Sequence, residues 1–201
     1  LVELRHGKTE DPTASWKELS ETIPTRVDLT EYSAQTKRTA PPAELAKFVH
    51  KTVEGSSPHE AAIAICKHIF SSVKYQHGVT GVHSIASEAW KKKVGVCQDF
   101  AHLALGALRA AGIPARYVSG YLHPHVAPKV GEKVIGESHA WVEWWAGAWF
   151  AYDPTNDIEI GERHIVVASG RDYDDVAPLR GVYAGASESQ LFVTVEITKE
   201  A

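Results

Sequence analysis

Three side chains could carry covalent chemistry. Cys97 lies in Gly95-Val96-Cys97-Gln98-Asp99-Phe100-Ala101, directly ahead of an apolar helical run, and Ser138-His139-Ala140-Trp141 and Tyr152-Asp153-Pro154-Thr155 follow in that order. A thiol becomes a strong nucleophile once an imidazole takes its proton, and a carboxylate orients that imidazole and stabilises its protonated form. These are the parts of a thiol acyl-transfer enzyme. At the first turn of a helix, Cys97 meets unpaired backbone N–H groups and the positive end of the helix dipole, both of which favour thiolate over thiol. Its own N–H is then one donor to a developing oxyanion. Alone, a cysteine that opens a helix is more often a small packed residue, so its partners decide the reading.

His139 begins an alternating run in which His139, Trp141, Glu143 and Trp145 share one face and Ala140, Val142 and Trp144 the other. Ala146-Gly147-Ala148 makes a hairpin connection, and Trp149 to Asp153 is the returning strand. A hairpin centred on Ala146 pairs His139 directly with Asp153 and brings their Cβ atoms to about 4.5–5.5 Å. A two-residue Ala146-Gly147 turn would instead slip the register by one and send the two side chains to opposite faces. The first register is expected, because a carboxylate on this Trp-rich sheet needs a partner to offset its desolvation. His139 would then take the Cys97 proton and later protonate the leaving amine, with Asp153 orienting the ring. The plainer reading of His139 is a core imidazole satisfied by a backbone carbonyl.

Other candidates rank below these. Asp99 falls two residues into the helix, where it complements the dipole. Asn156 could orient an imidazole as a neutral amide, but Pro154-Thr155-Asn156-Asp157 is turn chemistry, which places it second to Asp153. Cys66, within Ala61-Ala62-Ile63-Ala64-Ile65-Cys66, is expected as a small buried hydrophobe. Among eleven histidines, Tyr121-Leu122-His123-Pro124-His125 and the pair His77 and His83 raise metal binding, yet no paired Cys or His-Glu helical spacing accompanies them. His123 and His125 are expected in a solvated loop. Asp172, Asp174 and Asp175 lack the ligand spacing of a calcium loop, and Lys91-Lys92-Lys93 is a short solvated charge run.

The elements that must position these residues follow from period and punctuation. Residues 1–42 are polar, with Pro12, Pro24, Pro41 and Pro42 breaking any long helix, and read as an irregular linker or wrapping arm ahead of a catalytic domain over 43–201. Helices are expected from Pro42 to Val53, from Ser57-Pro58 to Val73 and from Cys97 to Ala111, the last with Cys97, Ala101, Leu108 and Ala111 on one side and Gly112-Ile113-Pro114 as its stop. Tyr75 to Val94 is mixed. Tyr117 to Leu122, Ala140 to Trp145, Trp149 to Asp153, Ile165 to Ala168 and Leu191 to Ile197 read as antiparallel strands. N-terminal helices packed on a later antiparallel sheet give an α+β fold.

Composition removes several classes of function. With 201 residues and 44% hydrophobic content, one domain with a real core is expected. A net charge of -4 offers no basic stripe for nucleic acid, and no apolar run approaches the roughly 20 residues that span a bilayer. Two cysteines make no disulfide framework, so a reducing, cytoplasmic setting is expected, where a free thiol survives. No methionine occurs, even at position 1, which reads as an excerpt or a processed chain.

The four motifs together carry a resemblance. Gly95 to Ala101, Ala111-Gly112-Ile113-Pro114-Ala115-Arg116-Tyr117-Val118-Ser119-Gly120-Tyr121, Ser138 to Glu143 and Tyr152 to Asn156 closely resemble the bacterial transglutaminase-like family, and the match extends through His164 to Ala168 and Gly170 to Pro178. The resemblance implies a papain-like core, a catalytic triad of Cys97, His139 and Asp153, and attack on a peptide or carboxamide carbonyl through a thioester. It implies no metal and no organic cofactor, and a peptide or protein as substrate. Members often carry a β-rich domain before the core, for which the first 42 residues are too short. Trp90, Tyr75 and Gln76 all remain open as the second oxyanion donor. The same triad serves cross-linking, deamidation, amide hydrolysis and proteolysis, so the choice between water and an amine as acceptor stays open, with a slight preference for hydrolysis. A reading from a different class is a binding or scaffold domain that keeps this fold without turnover.

Overall fold

Side chains that replace missing backbone partners set where the helices begin. In the computed structural model, which describes residues 14–81, 83–177 and 194–200, Ser15 opens α1 (Trp16–Thr22) by accepting the Glu18 N–H at 3.3 Å, while the Glu18 carboxylate accepts the Ser15 N–H at 2.7 Å. After α2 (Val27–Ser33) and α3 (Ala43–Val53), Ser57 and Glu60 repeat this reciprocal cap at α4 (Pro58–Ser72), with Pro58 in the first turn where no N–H is needed. α5 (Ala86–Lys92), α6 (Cys97–Ala110) and the single turn α7 (Tyr173–Val176) follow.

Residues 14–42 thus hold two helices where an irregular arm is expected. Each has only seven residues, too short to show a helical period, and tertiary burial stabilises them: Leu19 and Leu29 are buried in the core. Pro24 sits at the start of a 3-10 turn, Ile23–Thr25, and Pro42 caps α3, so neither interrupts a helix. Pro12 lies outside the described residues.

β1 (Lys74–Tyr75) and β2 (Val94–Gly95) form a short parallel pair. β3 (Ala115–Leu122), β5 (Glu137–Trp145), β6 (Trp149–Asp153), β7 (Ile158–Glu159) and β8 (His164–Gly170) make an antiparallel sheet in the order β7-β6-β5-β3-β8. β4 (Lys133–Ile135) pairs with β9 (Glu196–Thr198), and Leu191–Val193 of the expected last strand lie outside the described residues. Helices packed on an antiparallel sheet are the expected α+β class.

The sequence pattern gives α6 one apolar side, yet every residue from Gln98 to Arg109 is buried. The reason is its position: α3, α4 and α5 cover one flank, and β3 and β5 the other. Its one buried cation is satisfied by carbonyls. The Arg109 guanidinium donates to the carbonyls of Tyr32 at 3.0 Å, Ala115 at 2.8 Å and Arg171 at 2.6 Å, stitching the N-terminal arm, β3 and the approach to α7 onto one helix. Burial pulls this guanidinium down to about 10.

Gly106 lets the arm reach α6. A Cβ there would overlap the Thr39 carbonyl oxygen, while the Gln35 side-chain amide donates to the Gly106 carbonyl at 2.7 Å. Ala would gain about 1 kcal/mol of helix propensity, but overpacking against backbone costs about 1–3 kcal/mol or more. Gly106→Ala is therefore expected to lower the urea midpoint with an unchanged slope; a raised midpoint would show that the arm does not press on α6.

Candidate active site

Cys97 is delivered by a strand that turns directly into a helix. β2 is anchored to β1, with the Gln76 N–H donating to the Gly95 carbonyl at 2.9 Å, and Val96 is the N-cap of α6. Asp99 ties the turn: its carboxylate accepts the Val96 N–H at 2.9 Å and the Thr80 hydroxyl at 2.6 Å. Gly95 has to be glycine, since a Cβ would stand 2.8 Å from the Asp99 Cβ. Asp99 therefore holds the turn ahead of Cys97 as well as complementing the dipole. Burial raises its carboxyl, and the Thr80 and Val96 hydrogen bonds oppose that.

The two thiols differ in setting. Cys97 is partly exposed at the helix start, whereas Cys66 is buried in α4 as expected, and burial pushes its thiol well up.

His139 and Asp153 meet, but not through the expected register. Trp145 pairs with Trp149 and Val142 with Tyr152, around a three-residue loop centred on Gly147 at φ 96°, not on Ala146. Asp153 consequently stands diagonal to His139 rather than directly opposite. A two-residue offset preserves faces where a one-residue slip would not, so His139 Nε2 still reaches Asp153 Oδ2 at 2.7 Å. Cys97 is near enough to His139 to help hold a proton on its ring. With Nε2 on Asp153, Nδ1 is the ring nitrogen left for sulfur. Burial pulls the imidazole down, but the hydrogen bond to Asp153 and the influence of Cys97 prevail and raise it to about 9.

Asp153 has no exposed surface. Burial alone would raise its carboxyl, yet the hydrogen bonds from His139 and His164 hold it well below the usual range. Oδ1 accepts the N–H groups of Thr155 at 2.9 Å and Asn156 at 3.2 Å, and Oδ2 also accepts the Asn156 side-chain amide at 2.7 Å and His164 Nε2 at 3.3 Å. Asn156 thus braces the acid, and its amide lies 3.5 Å from His139 Nε2. In sequence His164 only precedes an apolar strand and opens the His164–Ala168 stretch of the family resemblance, with no role assigned; the β3–β8 pairing brings it here.

Of the open oxyanion donors, the Trp90 indole and the Gln76 backbone N–H are engaged elsewhere, which leaves the Gln76 side-chain amide and the Tyr75 hydroxyl. Trp90 Nε1 donates to Glu44 at 2.8 Å, and the Gln76 backbone N–H to Gly95. The Tyr75 phenol is raised by burial and by the neighbouring Cys97. His123, expected in a solvated loop, is buried, with Nδ1 accepting the His125 N–H at 3.1 Å; His125 is exposed. His139, Asp153 and His164 bring three possible ligand atoms within 4.8 Å. Hydrogen bonding accounts for their closeness: the Gly161 N–H donates to His164 Nδ1 at 3.3 Å, which leaves the proton on Nε2, facing Asp153.

Comparison with known proteins places this geometry. The Transglutaminase-like superfamily is matched by residues 43–154, from the first residue of α3 to the residue after Asp153. An uncharacterized protein of Mycobacterium leprae is 51% identical over 151 residues, covering 75% of this chain and 54% of that protein. This chain therefore spans about half the length of such curated relatives. A protein-glutamine gamma-glutamyltransferase of Pseudomonas aeruginosa is 34% identical over 83 residues, 39% of this chain and 12% of that protein. The crystal structure of a proposed cysteine protease from Cytophaga hutchinsonii superposes with a TM-score of 0.68 at 26% identity, over 88% of this chain and 57% of that one.

Folding raises His139 from 6.5 to about 9, so its pairing stabilises the protein fully below the lower value and ever less as pH rises through the upper one. Asp153, shifted the other way, loses its contribution only in acid. Denaturant midpoints are therefore expected to fall between neutral pH and about 9. Asp153→Asn should flatten that decline and lower the His139 titration seen by NMR. Parallel profiles for both proteins would contradict the pairing.

Proposed function

The chain belongs to the transglutaminase-like superfamily, and on that premise we propose that Cys97, His139 and Asp153 are the catalytic triad of a thiol acyl-transfer enzyme acting on peptide or carboxamide bonds. One observation supports the reading most: a buried imidazole whose Nε2 lies 2.7 Å from the Asp153 carboxylate, with Cys97 at a helix start among the groups that help it hold a proton. In the proposed cycle the Cys97 thiol proton passes to His139 Nδ1. The thiolate then adds to the substrate carbonyl carbon, and the Cys97 N–H at the start of α6 faces the developing oxyanion, with the Tyr75 hydroxyl and the Gln76 side-chain amide the remaining candidates for the second donor. Collapse breaks the C–N bond, and the imidazolium gives its proton to the departing ammonia or amine, leaving a thioester. Water or an amine then adds to the thioester while His139 takes its proton, and the sulfur departs to be reprotonated.

Asp153 stays ionised throughout, orienting the ring and stabilising the imidazolium. A peptide or protein is the proposed substrate. The acceptor, water or amine, sets the outcome between hydrolysis and cross-linking.

Iodoacetamide at neutral pH is expected to alkylate Cys97 well ahead of Cys66. A glutamine-peptide panel scored for ammonia release and for amine incorporation should give turnover that Cys97→Ala abolishes and His139→Ala cuts on the order of 10⁶-fold. Unselective alkylation, with no turnover in either assay, would favour a binding or scaffold domain instead.

A further inference from the structure

Asp153 carries a second imidazole that a thiol–imidazole–carboxylate triad does not require. His164 is almost fully buried at the start of β8, its Nε2 3.3 Å from the same Oδ2 that receives His139. Its ring is fixed on three sides. The Gly161 N–H donates to Nδ1 at 3.3 Å, the His164 N–H returns to the Gly161 carbonyl at 2.9 Å, and Trp141 meets the ring edge-on at 5.3 Å between centroids. Because Nδ1 accepts a backbone N–H, it cannot hold a proton, and the ring presents Nε2–H to the acid as an uncharged donor.

Trp141 also lies beside His139, at 6.2 Å between centroids, and the two imidazole centroids are 6.1 Å apart. Gly120 makes room for this arrangement: it lies opposite His139 in the β3–β5 register, and a Cβ there would stand 2.6 Å from the Trp141 ring. Three strands therefore converge on one oxygen.

We propose that His164 is a positioning residue of the site, an uncharged donor that aims Asp153 Oδ2 at His139 and takes part of the carboxylate's charge. The proposal rests on the triad reading above. Its physical content is a division of one negative charge. His139, whose proton must move twice in each turnover, feels only part of Asp153, so its basicity is moderated. Without His164 the whole carboxylate would bear on His139 and hold its proton more tightly.

The groups that face this pair are Cys97 from α6, His139 from β5, the neutral amide of Asn156 in the turn after β6, and, farther off, Cys66 from α4 together with Asp157. None but His164 combines a fixed donor on Oδ2 with a place outside the three proposed catalytic residues and the turn that follows Asp153.

The test is the NMR titration of the His139 ring in the full chain, compared across wild type, His164→Phe and His164→Gln, with folding checked by circular dichroism. In His164→Phe the His139 midpoint is expected to rise by roughly one pH unit, the scale of one lost hydrogen bond to a charged group. His164→Gln, whose amide N–H can stand where Nε2–H stood, should return the midpoint to within a few tenths of wild type. Where phenyl proves too bulky to fold, His164→Leu takes its place. Superimposable titrations, or equal shifts in the Phe and Gln variants, would overturn the proposal. Alkylation of wild-type Cys97 by iodoacetamide separates the two readings: an unreactive Cys97 removes the triad, while the titration comparison, which reads an imidazole and not turnover, still decides the role of His164.

Discussion

A carboxylate with no exposed surface must be surrounded by donors, and Asp153 is where that requirement shapes the structure. Leaving such a charge unpaired costs several kcal/mol, far more than a typical hydrogen bond contributes. Five donors answer it: two backbone N–H groups and one amide from the turn after β6, one imidazole from β5 and one from β8. The end of β6, the middle of β5 and the first residue of β8 are thereby committed to one point. Strand register and site geometry become one constraint, since sliding either neighbour would strand the acid.

The proposed nucleophile arrives from the helical layer. Cys97 is the first residue of a helix buried on every side, and its height above the sheet is set by how α6 packs on β3 and β5. Small residues at Ala101, Ala104 and Ala107 let that helix lie close, while Phe100 and Trp144 belong to the same buried cluster. Thr80, Val96 and Asp99 then fix the last turn of chain before the thiol. A helix start and a strand interior are both rigid, which suits the proposed pairing of Cys97 with His139, since reacting groups must meet within a few tenths of an ångström.

The acidic run after β8 has a structural account. Arg171 is bound by Asp175, Arg38 donates twice to Asp174 at 2.7 Å, and Asp172 caps α7 through the Asp174 N–H at 2.8 Å. The Tyr173 N–H donates to His102 Nε2 at 3.2 Å, on a ring that burial and the nearby Arg38 and Arg109 charges hold down at about 3. These contacts clamp α7 and the N-terminal arm onto the back of α6. They also explain why three aspartates this close carry no calcium-loop spacing: each already has a cation or an N–H.

Much of this was legible in the sequence because it depends on neighbours along the chain. Cap residues, prolines, glycines and alternating strands mark α3, α4, α6 and most of the sheet, and the order thiol, imidazole, carboxylate names the chemistry. Short helices such as α1, α2 and α5 left no readable period, because burial of Leu19, Leu29 and Trp90, not local propensity, stabilises them. Only tertiary structure decided that the β5–β6 hairpin turns at Gly147, that α6 is covered on both flanks, and that His164 shares the oxygen His139 uses. Each of those depends on segments far apart in sequence competing for one buried space, and composition and spacing along a single chain hold no record of that competition.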